Sequence, residues 1–192
     1  MKPSFLFLLS AILFIANAGM YAQFKKVDST LKIGKVGYRV TCNNRSPDQN
    51  ELHIKPVGFE STAKEMAFYI KGRLMKSEID DLNNDGFPDL LLYIFSGANG
   101  EYGTVYAFLS QENKSISSFA LPDAMLDGKL KDGYQGHDEF TLLEGKLMRE
   151  FPVYKPGDEK DKPTGGKRFV QYYVVASGEH FEFKVLRTYD IK

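Results

Sequence analysis

The chain opens with an almost unbroken apolar run from Phe5 to Ile15, interrupted only by Ser10. Beyond it, apolar residues recur mostly at every second position, and turn-forming residues punctuate the pattern often. A period of two is the spacing of side chains on one face of a β-strand. Leu52, Ile54 and Val57 mark a first short strand, and Ala67 to Ile70 a second. Leu90 to Phe95 is continuous rather than alternating, which predicts a strand buried on both faces, with Val105 to Leu109 as its hairpin partner. Phe140 to Leu143 and Lys146 to Val153 flank Glu144-Gly145, a two-residue turn. Phe169 to Val175 and Phe181 to Tyr189 flank residues 176–180. Many short strands at this spacing predict one all-β domain, an antiparallel β-sandwich or partly open barrel. Fifteen Phe and eleven Tyr agree with it, because aromatic side chains favour strands. Helix is expected at most near Ser61 to Glu65 and Asp123 to Leu126.

The opening run changes the picture of where the domain works. Lys2 supplies a positive start, the apolar run follows, and Ala16-Asn17-Ala18 or Ala22 offers a cleavage site. That order reads as a secretory signal over residues 1–22, followed by a single domain over 23–192. The run is shorter than the roughly 20 apolar residues of a spanning helix. No cysteine stands at the cleavage point to carry a lipid. The expected location is therefore the periplasm or the medium. Cys42 is the only cysteine, so no disulfide forms within the chain, and it is expected to be a buried small hydrophobe.

Charge excludes some partners. Lys and Arg total 25 against 25 Asp and Glu, and this balance argues against nucleic acid or an anionic membrane as the main partner. The dense stretch from Lys155 to Arg168 mixes both signs with Pro and Gly and reads as a solvated loop.

Three constellations are candidates for chemistry or binding. Asp81, Asn83, Asp85 and Asp89 place oxygen side chains around Gly86, the start of a D-x-N-x-D-G calcium loop. Leu92 stands where an EF-hand has its glutamate. A structural Ca2+ ion and an Asx-rich turn without an ion are both open readings of this segment. The second constellation is Ser96-Gly97-Ala98-Asn99-Gly100-Glu101-Tyr102-Gly103, a glycine-rich connection carrying an aromatic residue with a polar tip. It is either a binding loop held by a rigid sheet or an ordinary hairpin loop with Tyr102 folded back. The third is His137-Asp138-Glu139, whose neighbours on a strand point to opposite faces and so cannot all converge. No nucleophile elbow, H-E-x-x-H helix or phosphate loop is present, and no enzymatic activity is expected.

At these residues the sequence resembles the periplasmic inhibitors of invertebrate-type (i-type) lysozyme. The resemblance runs through Ile79 to Asp89 and Ser96 to Tyr102, and then through Gly133 to Phe140, Phe151 to Tyr154 and Pro163 to Gly166. It implies an antiparallel β-sandwich or barrel, a homodimer, and a loop of the form Ser-Gly-x-Tyr that plugs a lysozyme's substrate cleft. The corresponding positions are Asn99, Gly100, Glu101 and Tyr102, with Ser96 and Gly97 leading into them. Asn99 departs from the pattern, where the family has Ser. The resemblance therefore implies an exported lysozyme inhibitor; the alternative is a calcium-stabilised β binding module with another envelope or glycan ligand.

Overall fold

Alternation and frequent turns give twelve β-strands and no helix among the described residues, which in this computed structural model are 25–60, 62–178 and 180–192. The expected export signal lies outside them. The strands fall into three antiparallel sheets, each a meander of four consecutive strands. The first sheet holds β1 (Val27–Ile33), β2 (Val36–Cys42), β3 (Gln49–Val57) and β4 (Met66–Lys71). The middle sheet holds β5 (Arg73–Asp80), β6 (Asp89–Ser96), β7 (Tyr102–Gln111) and β8 (Ser115–Ala120). The third holds β9 (Glu139–Leu143), β10 (Lys146–Pro152), β11 (Lys167–Ser177) and β12 (His180–Ile191).

The middle sheet is covered on both faces, and β6 shows why its sequence is continuously apolar. Leu90, Leu92 and Ile94 join one core with Tyr38, Val40, Leu52, Ile54 and Ile70 of the first sheet. Leu91 and Tyr93, on the opposite face, join a second core with Leu147, Phe151, Val170 and Tyr172 of the third sheet. β7 divides in the same way: Val105, Ala107 and Leu109 enter the second core and Phe108 the first. Burying each such Leu contributes about 1.5–3 kcal/mol, and β6 contributes to both cores. The result is a layered β-sandwich, and no sheet closes into a barrel. Ser29 of β1 meets Ser77 of β5 at 3.5 Å, and Phe119 of β8 meets Phe183 of β12 with ring centroids 5.0 Å apart. The outer sheets thus approach the middle one at opposite edges.

Several expectations are met locally. Glu144 and Gly145 both take positive φ and join β9 to β10 as a two-residue turn. Cys42 is buried, donating to the Asn44 side chain at 3.2 Å, and burial pushes its thiol pKa up. The helix expected near Asp123 to Leu126 is a turn instead. Asp123 closes it by accepting from the Met125 amide on its carboxylate and from the Leu126 amide on its carbonyl. Residues 62–65 are not helical either.

Candidate partner-binding loop and its support

Residues 97–101 connect β6 to β7 at one end of the middle sheet. The path needs glycine. Gly97 has φ +96°, and a Cβ there would strike the Glu101 carboxylate and crowd the Tyr102 ring. Gly100 has φ +74°, and its amide donates to the Gly97 carbonyl at 3.3 Å. Ser96 stands at the base, its hydroxyl 3.5 Å from the Tyr102 carbonyl. The Glu101 carboxylate folds back over the loop, accepting from the Asn99 amide at 3.1 Å and from the Asn99 side chain at 3.3 Å. Its own backbone amide and that of Asn99 hold it below the usual glutamate range. Glu101 is thus the clasp of the loop.

Support from outside the loop comes from the segment containing His137. The Glu101 carbonyl accepts from the His137 amide at 2.5 Å, and a Cβ on Gly136 would collide with that same carbonyl. Tyr102 is 46% exposed and meets the Tyr134 ring edge-on, centroids 6.3 Å apart. Beneath lies a buried polar network. Asp138 accepts from Arg149 Nε at 2.6 Å on one oxygen, and from the Tyr134 hydroxyl at 2.6 Å and the Gly103 amide at 2.8 Å on the other. Arg149 also donates to the Tyr134 hydroxyl at 2.8 Å. Its guanidinium lies 5.0 Å from the Tyr134 ring centroid and 5.6 Å from that of Phe151. Burial works to lower the Arg149 pKa, but the hydrogen bond and charge of Asp138 outweigh it and raise it. Removing one member of such a buried pair costs on the order of 3–5 kcal/mol. The start of β7, and with it the exit of the loop, is therefore pinned.

Asp138 points in while His137 points out, with Nε2 3.7 Å from Asp161, so the His-Asp-Glu run does not form one cluster. Of the sequence candidates, Ser96, Gly97, Asn99, Gly100, Glu101 and Tyr102 share one loop. Tyr134, Gly136 and Asp138, which lie in the Gly133 to Phe140 stretch singled out in the sequence, support this loop together with Arg149, which the sequence does not single out.

The Asp81–Asp89 segment lies between β5 and β6. Asp81 accepts from the amides of Asp85 at 3.0 Å and Gly86 at 2.8 Å. Asp85 accepts from the Phe87 amide at 2.9 Å and the Asn83 side-chain amide at 2.8 Å. The structure thus gathers Asp81, Asn83 and Asp85. Asp89 turns the other way into the protein, accepting from the amides of Leu82 at 2.9 Å and Ser110 at 2.8 Å. Burial pushes its pKa up to about 7 against those two amides. Among the described residues no group of three or more His, Cys, Asp or Glu side chains is placed to hold a metal.

Comparison with family models, with curated proteins and with solved structures finds no match for this chain.

Proposed function

We propose that this chain is an exported inhibitor that plugs the substrate cleft of an i-type lysozyme with the loop Asn99 to Tyr102 and does no chemistry itself. The observation that supports this most is the pre-organised loop, clasped internally by Glu101 and backed by the Asp138–Arg149–Tyr134 network, with Tyr102 half exposed beside it. A loop already held in one conformation loses little entropy on binding. A lysozyme cleft presents two carboxyl groups, and amide and hydroxyl donors satisfy them without offering a scissile glycosidic bond. Tyr102 supplies area and a polar tip of the kind that dominates interface energetics. The test is residual activity of i-type, chicken-type and goose-type lysozymes titrated with the purified mature protein. Stoichiometric inhibition of the i-type enzyme is the expected result; full activity of all three at micromolar protein removes the proposal.

A second reading, a Ca2+ ion held by Asp81, Asn83 and Asp85 in a β binding module for another envelope or glycan ligand, has one observation in its favour. The side-chain carbonyl oxygen of Asn83 is buried without a hydrogen-bond partner, while the amide of the same side chain donates to Asp85. An ion at 100 times its dissociation constant stabilises by about 2.7 kcal/mol. Calcium should then raise the Tm by several degrees, and Asp85→Ala should abolish the rise. An unchanged Tm at millimolar calcium leaves the segment as a self-capped turn.

A further inference from the structure

β12 ends the third sheet, pairing with β11 on one side only. Near Phe183, which points into the core, it packs against Phe119 of β8. Farther along, from Lys184 to Ile191, every residue is exposed. Here an open groove of about 1120 Å3 separates the strand from residues 126–130. Arg187, Thr188, Tyr189 and Asp190, four successive residues, all line it. Successive side chains of a strand point to opposite faces, so a groove lined by consecutive residues runs along the strand's edge, where unpaired backbone amides and carbonyls lie. The far wall is fixed in place. Arg168 bridges to it, donating to the carbonyls of Lys129 at 3.0 Å and Asp132 at 3.1 Å while pairing with Asp190 at 2.8 Å.

Two further features mark this groove. Three of the eleven exposed large hydrophobic residues among the described ones, Leu126, Val185 and Tyr189, line the groove, with Met125, Leu186 and Ile191 close to them in the chain, and Leu126 is 85% exposed. Such clustering marks interaction surfaces. The charges are also unbalanced: Lys129, Arg168 and Arg187 line the groove against Asp127 and Asp190, and Asp190 is bound by Arg168. Lys129 and Arg187 form no ion pair among the described residues, and Arg187 lies over the Tyr189 ring, 5.6 Å from its centroid.

We propose that the β12 edge and the 126–130 wall form a second binding site, which takes an extended peptide segment of a partner protein, with acidic side chains alternating with apolar ones, as an added strand. Backbone pairing supplies affinity in this mode, and side-chain pockets supply selectivity. Val185 and Arg187 lie on opposite faces of the strand, because the register shifts between their partners Tyr172 and Gln171, so Val185 meets the apolar side chains and Arg187 the acidic ones, with Leu126 and Lys129 on the far wall. A second copy of this chain fits less well. Its β12 brings Lys184 and Arg187, and its Asp190 is already bound by its own Arg168.

The test titrates the mature protein with a blocked Val-Glu-Val-Glu-Val peptide, following backbone amide NMR shifts. Saturable shifts at Leu126–Leu130 and Val185–Asp190 are expected. Methylating two peptide nitrogens that pair with the edge should weaken binding on the order of thirtyfold, the equivalent of two backbone hydrogen bonds. Arg187→Glu, an exposed change that leaves the fold intact, should weaken the acidic peptide roughly fivefold or more. Equal binding of Val-Lys-Val-Lys-Val, indifference to N-methylation, or no saturable shift at millimolar peptide overturns the proposal. So does a protein-concentration dependence of the same amides without peptide, which assigns the edge to a second copy.

Discussion

Asp89 is a single residue whose chemistry reaches the whole fold. It is fully buried, and its two oxygens tie the Asp81–Asp89 segment to the end of β7 through Leu82 and Ser110. Burial raises its pKa from 3.8 to about 7, so between those values the folded state binds a proton that the unfolded state has lost. Stability contributed by this group is complete below about pH 4, declines as pH rises towards 7, and is flat above. Asn at this position keeps the size and cannot ionise. In chelator, the stability of the wild type relative to Asp89→Asn should therefore fall by a few kcal/mol at most between pH 4 and 7, read by urea denaturation at each pH. A difference independent of pH shows that the two amides keep Asp89 ionised throughout. The sequence shows Asp89 only as one oxygen in a spacing pattern; its inward turn depends on Ser110, twenty-one residues away.

At the scale of elements, the 97–101 loop is held from within and from beneath. Glu101→Ala removes both acceptors of Asn99 and leaves the core untouched. It should raise amide hydrogen exchange at residues 99–101 and weaken inhibition, with the Tm nearly unchanged. Tighter inhibition would mean that Glu101 acts as a repelling charge at the interface instead. The strands were legible where their cause is local. The run 90–95 reads as doubly buried because β6 feeds two cores, and Glu144-Gly145 reads as a turn because both residues tolerate positive φ. Four strands lack such signals. β5 buries only Leu74 and carries Lys76, Ser77 and Glu78, so it is a strand because β6 pairs with it. β8 begins Ser-Ile-Ser-Ser, a composition that suits a loop equally well. β1 is an edge strand whose Val27 and Leu31 are only partly buried, and β2 sets Gly37, Arg39 and Thr41 among Tyr38, Val40 and Cys42. The loop's glycines and Tyr102 stand together in the chain and could be read there. Its support could not, because Tyr134, Asp138 and Arg149 converge only after β10 packs against the middle sheet.

The whole molecule stacks three sheets so that one end presents the clasped loop and another side presents the β12 groove. The free edges of β4 and β9, with Tyr69 and Leu143 exposed on them, remain for contact between copies. The homodimer implied by the family resemblance should appear in light scattering as twice the mature mass at micromolar concentration; a monomer across that range removes it from the account. The central claim concerns the loop. Tyr102 rests on Tyr134 at the surface, so truncating it should spare the core. Interface anchors of this kind cost about 2 kcal/mol or more when cut to Ala, a loss of roughly thirtyfold in affinity. The decisive measurement is residual i-type lysozyme activity titrated in parallel with wild-type and Tyr102→Ala protein of matched Tm. The account predicts that wild-type protein inhibits and that Tyr102→Ala needs at least about thirtyfold more protein for the same effect. Equal inhibition by the two proteins would contradict it.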